Sequence, residues 1–232
     1  MTKIYKHLFF DLDHTLWDYD KNVEESLSEL YLHYNLPELG ISSFDKFFSA
    51  FEQVNYGLWD RYNVGGISKE ELRQIRFRRI FETVAADPDL VPEPMESHFM
   101  TNTSSKPHVI ADTFDILNYL RNSYCLHIIT NGFNESQAQK MNAAGLTSYF
   151  DLIVTSETTG HRKPDRRIFD YAVEQLGAKP EECVMIGDNP LSDIAGAQNA
   201  GIDQIYFNPK GIACSVKATH TIQQLMELKG IL

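Results

Sequence analysis

The stretch Leu8-Phe9-Phe10-Asp11-Leu12-Asp13-His14-Thr15-Leu16 is a short apolar run ended by two carboxylates one residue apart. A strand buried on both faces of a parallel sheet reads as a continuous apolar run. In open α/β sheets, ligands sit beyond the carboxyl ends of such strands. The pattern therefore places Asp11 and Asp13 at the rim of a sheet, where chemistry is expected. Packing gives no reason to end a core strand with two acids, because unpaired buried charge is costly. A metal ion or a strong cation resolves that cost.

Three further segments repeat the theme. Ile128-Ile129-Thr130-Asn131-Gly132 is an apolar run ending in a hydroxyl and a turn. Arg162-Lys163-Pro164-Asp165 supplies cations. Val184-Met185-Ile186-Gly187-Asp188 is another apolar run ending in an acid, with Asp193 five positions on. Around them helical and strand patterns alternate: a helix over 113–121, a strand over 126–129, and a helix capped by Asn134 and ending at Gly145. Then come a strand over 152–155, a helix over 165–176, a strand over 183–186, a helix over 193–200 and a strand over 204–207. The tail adds a short strand near Thr219 and a helix over 222–228. Repeated β-α-β units imply a doubly wound parallel sheet, a Rossmann-like core of class α/β.

Between the first and second segments the chain reads as all-helical. Val23, Leu27, Leu30, Tyr31 and Tyr34 recur at helical spacing, and Pro37 and Gly40 break the pattern. Ser43 caps a second helix bearing Phe44, Phe47, Phe48, Phe51 and Val54. Ser68 with Glu71 forms a capping box for a third. The proline-rich stretch from Pro88 to Pro94 interrupts, and one more helix runs near 96–103. The expected division is a core of residues 1–17 and 89–232 with an inserted all-helical domain of residues 18–88.

The bulk composition narrows the classes. The 232 residues carry 32 acids against 21 bases, a formal net charge of −11, which disfavours binding to a nucleic-acid polymer. The first apolar run is short and carries acids, unlike a signal peptide, and no stretch approaches the length that spans a membrane. Cys125, Cys183 and Cys214 show no metal-ligand spacing and read as reduced structural thiols. The expectation is a cytoplasmic protein, a monomer or small homo-oligomer.

The four segments, in this order, resemble the haloacid dehalogenase superfamily of aspartate-nucleophile phosphotransferases. The resemblance spans residues 4 to about 207. It implies that the inserted helices form a cap over the active site. It implies that Asp11 is the nucleophile, forming an aspartyl-phosphate, and that Asp13 is the general acid and base. Mg²⁺ would be held by the Asp11 side chain, the Asp13 backbone carbonyl and the Asp188 side chain. Thr130 would donate to the phosphoryl oxygens, beside the Asn131 and Gly132 amides, and Lys163 would offset charge on Asp11 and phosphate. Read alone, Thr-Asn-Gly is an ordinary turn and Lys before Pro is a surface cation. Asp193 either orients Lys163 or a metal-bound water, or caps the next helix. His14 reads as structural or substrate-adjacent.

Substrate choice rests on softer features. Segments 12–18, 57–60 and 67–72 are similar to the branch that dephosphorylates nucleoside monophosphates, pyrimidine or deoxy forms in particular. The expected substrate is a small phosphorylated metabolite, a nucleotide foremost. Trp17, Tyr19, Tyr56, Trp59 and Tyr62 are candidates for stacking on a base, with Tyr19 and Trp59 singled out, although such aromatics are more often core. The alternatives are a sugar-phosphate or phosphoglycolate phosphatase, a β-phosphoglucomutase-like mutase, and a non-catalytic phosphate-binding regulator. A dehalogenase has no use for the acid at Asp13.

Overall fold

The computed structural model describes residues 5–232, so the first four residues of the expected core segment 1–17 lie outside the described residues. The chain divides into two compact units. One comprises Pro107–Leu232 with the chain up to Tyr19, and the other Asp20–Lys106.

The first unit is built on a six-stranded sheet: β1 His7–Phe10, β2 Cys125–Thr130, β3 Leu152–Thr155, β4 Cys183–Gly187, β5 Asp203–Phe207 and β6 His220–Ile222. Its order is β3-β2-β1-β4-β5-β6, with every neighbouring pair parallel. The order reverses between β1 and β4, the crevice where α/β sheets take ligands. Helices cover both faces. Leu8 and Phe10 point to a layer with Ile116, Leu117 and Leu120 of α5 (Thr113–Leu120) and Met141 of α6 (Asn134–Ala143). Phe9, Ile129 and Met185 point the other way, against Ile168, Phe169, Ala172 and Val173 of the helix Arg166–Gln175. Period-two alternation in strands buried on both sides is what makes the runs continuously apolar.

The structure departs from the sequence pattern at three places in the sheet unit. Asn134 does not cap α6, because Phe133 holds the capping position and the Asn134 side-chain oxygen accepts from the Thr155 hydroxyl. The helix expected over 193–200 starts earlier, as a π-helical turn over Pro190–Ala195 leading into a short helix, Gly196–Asn199. Asn189 Oδ1 accepts from the Leu191 and Ser192 amides, and Pro190 has no amide to satisfy. The tail closes in a 3-10 turn over Leu225–Gly230 rather than a helix from 222. Ile222 is still in β6, and the Glu227 carboxylate accepts from the Gln223 and Gln224 amides, which fixes the turn's start.

The second unit is helical: α1 Tyr19–His33, whose first residue belongs to the other unit, α2 Phe44–Asn63, α3 Lys69–Thr83 and α4 Met95–Ser104. Ser43 and Ser68 cap α2 and α3 by accepting from the Lys46 and Glu71 amides at 3.4 and 3.0 Å. The unit extends well beyond residue 88, to Lys106. Aromatic packing carries α4 with it, since Phe99 lies 5.1 Å from Phe51 and 5.7 Å from Phe77 between ring centroids. Lys106 closes the end, 2.8 Å from Glu25 and 2.6 Å from Glu29. No helix among the described residues is long and apolar enough to cross a membrane.

Candidate active site

The sheet register assembles the site. Phe10 pairs with Ile128 on one side and Ile186 on the other. The next residue, Asp11, donates its amide to Ile186 O at 2.9 Å, so Asp11 emerges beside Gly187 and Asp188. Thr130 ends β2 on the opposite flank. Beyond Asp11 the chain makes a tight loop. The His14 amide donates to Trp17 O and the Trp17 amide to Leu12 O, and His14 takes the left-handed conformation, φ 62°, uncommon for a residue with a Cβ.

Lys163 is the hub. It is 2% exposed, and its ammonium lies 2.5 Å from Asp11 Oδ1, 2.7 Å from Asp193 Oδ1 and 2.7 Å from the Ile129 carbonyl. Its backbone is gripped by the Asn131 side chain, whose oxygen accepts from the Lys163 amide and whose nitrogen donates to the Lys163 carbonyl. Asn131, expected to face phosphate through its amide, thus also fixes where the lysine starts. Asp193 touches both Lys163 and the start of its own helical turn. Its Oδ2 accepts the Asn189 amide at 3.0 Å, while Asn189 itself is the cap. Asp188 accepts from the buried Thr15 hydroxyl at 3.1 Å. Thr15 belongs to the opening stretch, and its partner could not be read there.

Asp11, Asp188 and Asp193 each present an oxygen within 4.8 Å of the others. Burial and mutual repulsion push the Asp11 carboxyl up to about 7 despite Lys163, and lift Asp188 well above the usual carboxylate range. Burial works against the Lys163 charge, but Asp11 and Asp193 outweigh it and raise the ammonium's affinity for its proton. With all three carboxylates ionised, the single ammonium leaves the cluster a formal charge of −2. An oxygen-rich donor set with that imbalance fits a hard divalent cation. Asp13 stands apart from this cluster. Burial opposes its charge, but Lys140 and Gln137 hold its carboxyl below the usual range.

Sequence reading missed Gln137 and Lys140, which face the site from α6. Gly132, expected to offer its amide to phosphate, donates it to Thr130 Oγ1 at 3.1 Å. Trp17 is fully buried in the core and is no stacking platform. Tyr19 lies in the sheet unit, its ring 4.5 Å from that of His14. Trp59 belongs to the helical unit, edge-on to Tyr62 at 5.4 Å.

The haloacid dehalogenase-like hydrolase family matches residues 5–201. The pyrimidine 5′-nucleotidase YjjG of Escherichia coli K12 is 33% identical over 228 residues, covering 94% of this chain and 96% of its own. The pyrimidine 5′-nucleotidase PynA of Streptococcus pneumoniae is 31% identical over 94% of this chain and 90% of its own. Among solved structures, YfnB of Bacillus subtilis, named as a HAD-hydrolase, aligns with a TM-score of 0.88 at 28% identity over 99% of each chain. That crystal form is bound to magnesium and reveals interdomain movement.

Proposed function

Because the chain belongs to the haloacid dehalogenase-like hydrolase family, we propose that it hydrolyses phosphoric monoesters at Asp11, with nucleoside 5′-monophosphates, pyrimidine forms foremost, as its substrates. The observation that carries the reading is the buried Lys163–Asp11 pair set beside Asp188 and Asp193 at the point where the strand order reverses. The near-full-length similarity to two pyrimidine 5′-nucleotidases supports the substrate class.

Phosphate monoesters are among the slowest biological bonds to hydrolyse, so the site must lower a very high barrier. The Asp11 carboxylate attacks phosphorus and the ester oxygen leaves, giving an aspartyl-phosphate and splitting one hard step into two. The phosphoryl charge arriving beside Asp13 raises its proton affinity, so a protonated Asp13 gives its proton to the departing oxygen, and the carboxylate left behind takes one from the water that attacks the phosphoryl group. The Thr130 hydroxyl and Lys163 ammonium face the charge that develops on the phosphoryl oxygens. Asp11, Asp188 and the Asp13 carbonyl would hold Mg²⁺, whose charge offsets that of the two anions that must meet.

Phosphate release from a panel of monoesters, with Mg²⁺ and with chelator, tests this. The expected result is Mg²⁺-dependent release with the highest kcat/KM on pyrimidine nucleoside monophosphates. Higher kcat/KM on hexose phosphates or phosphoglycolate would reject the nucleotide assignment. Full activity in chelator would reject the metal.

A further inference from the structure

The acid–base residue has two partners that the proposed chemistry does not use. Gln137 and Lys140 sit three residues apart on α6, a spacing that places both on one face. Lys140 Nζ lies 2.6 Å from Asp13 Oδ1, and Gln137 Nε2 lies 2.9 Å from Asp13 Oδ2. Each carboxylate oxygen therefore has one fixed donor and keeps acceptor capacity for the reacting proton.

Gln137 does more than touch Asp13. Its amide nitrogen has two hydrogens, and the second goes to Thr130 Oγ1 at 2.7 Å. Turning the amide over would aim its oxygen at a carboxylate, so the orientation follows from the network. Thr130 Oγ1 also accepts from the Gly132 amide at 3.1 Å. Both lone pairs of the hydroxyl are then taken, and its own hydrogen is left to donate. Gln137 thus makes Thr130 a donor and ties it to Asp13. The fit is close, since a Cβ on Gly132 would lie 2.1 Å from Gln137 Nε2.

Lys140 is itself held. Its ammonium lies 4.4 Å from the Trp17 ring centroid and 5.9 Å from that of Tyr19. Aromatic faces attract a partly desolvated cation and limit its wandering. Trp17 is fully buried, so one wall of this seat is fixed by the core.

We propose that Gln137 and Lys140 are positioning residues: together they fix the Asp13 carboxyl for proton transfer, and Gln137 fixes the Thr130 hydroxyl as a donor to phosphate. The inference rests on the acid–base reading of Asp13, and its test separates the two. An alkyl phosphate needs a proton on its leaving oxygen, whereas p-nitrophenyl phosphate departs without one. kcat/KM reports the steps up to that departure. The probes are a nucleoside 5′-monophosphate and p-nitrophenyl phosphate. The variants are Lys140→Met and Gln137→Met, which keep bulk without the donor, with Asp13→Asn as reference.

The alkyl-to-aryl ratio of kcat/KM is expected to fall about 10- to 100-fold in both methionine variants, toward the loss in Asp13→Asn. Lys140→Arg, which restores a cationic donor, is expected to recover much of it. Damage to folding alone would lower both substrates together and leave the ratio in place. A large loss in Asp13→Asn with an unchanged ratio in the methionine variants would overturn the positioning roles and leave Asp13 as the acid. An unchanged ratio in Asp13→Asn would overturn both.

Discussion

Lys163 Nζ lies 2.5 Å from Asp11 Oδ1, across 152 positions of sequence, in a site from which water is almost excluded. Breaking a buried pair by deleting one partner leaves an uncompensated charge and typically costs about 3–5 kcal/mol. Lys163→Met removes the cation from among Asp11, Asp188 and Asp193. Urea unfolding in chelator is expected to show a loss of that order, about 3–5 kcal/mol, with the gap to wild type narrowing as Mg²⁺ is added. Equal stability of the two proteins in chelator would show that the lysine charge does not hold the acids together.

Gly187 has no room for a side chain. A Cβ there would lie 2.3 Å from Asp193 Oδ2 and 2.6 Å from its Cγ. Gly187→Ala is expected to cost about 1–3 kcal/mol through overpacking and to push Asp193 off Lys163 and off the Asn189 amide. Steady-state kinetics should show kcat falling with the fold retained. Unimpaired turnover would separate Asp193 from the orientation of Lys163.

The opposite end of the sheet carries a pH-dependent pair. His7 Nδ1 and His127 Nε2 are 3.1 Å apart on neighbouring strands. Burial, with the nearby His7, lowers the His127 imidazole to about 4. In the unfolded chain it protonates near 6.5, so between about 6.5 and 4 the unfolded state holds more protons. Stability should therefore fall as pH drops through that window, with no contribution from His127 above it. His127→Gln should flatten this part of the profile relative to wild type. Parallel profiles would show that His127 does not titrate with unfolding.

Chelation offers a separate reading of the metal site. A ligand that binds only the folded state raises its stability by mass action. Mg²⁺ is expected to raise the unfolding temperature of the wild type, and to raise that of Asp188→Asn less. An identical shift in both would place the ion elsewhere.

Much of this arrangement was legible because it follows from continuous apolar runs that end in chemistry. Leu8–Phe10, Ile128–Ile129 and Val184–Ile186 are strands buried on both faces, and the acids or hydroxyl that follow each run stand at one rim. Gln137 and Lys140 were not legible, because polar residues three apart on a helix look the same whether they face solvent or a buried carboxylate. Thr15 was hidden likewise, since its partner Asp188 lies 173 positions away. The end of the helical unit was missed because prolines near 88–94 look like a boundary. The link that crosses them, Phe99 against Phe51 and Phe77, exists only in three dimensions.

In the proposed reaction, phosphate passes through the Asp11 side chain. Acid quenching during turnover, followed by mass spectrometry of the peptide that contains Asp11, tests it most directly. The expected result is a phosphate-sized increment on that peptide, acid-stable and lost in hydroxylamine, and none in Asp11→Asn. Rapid turnover with no increment at any quench time, or an increment that persists in Asp11→Asn, would contradict it.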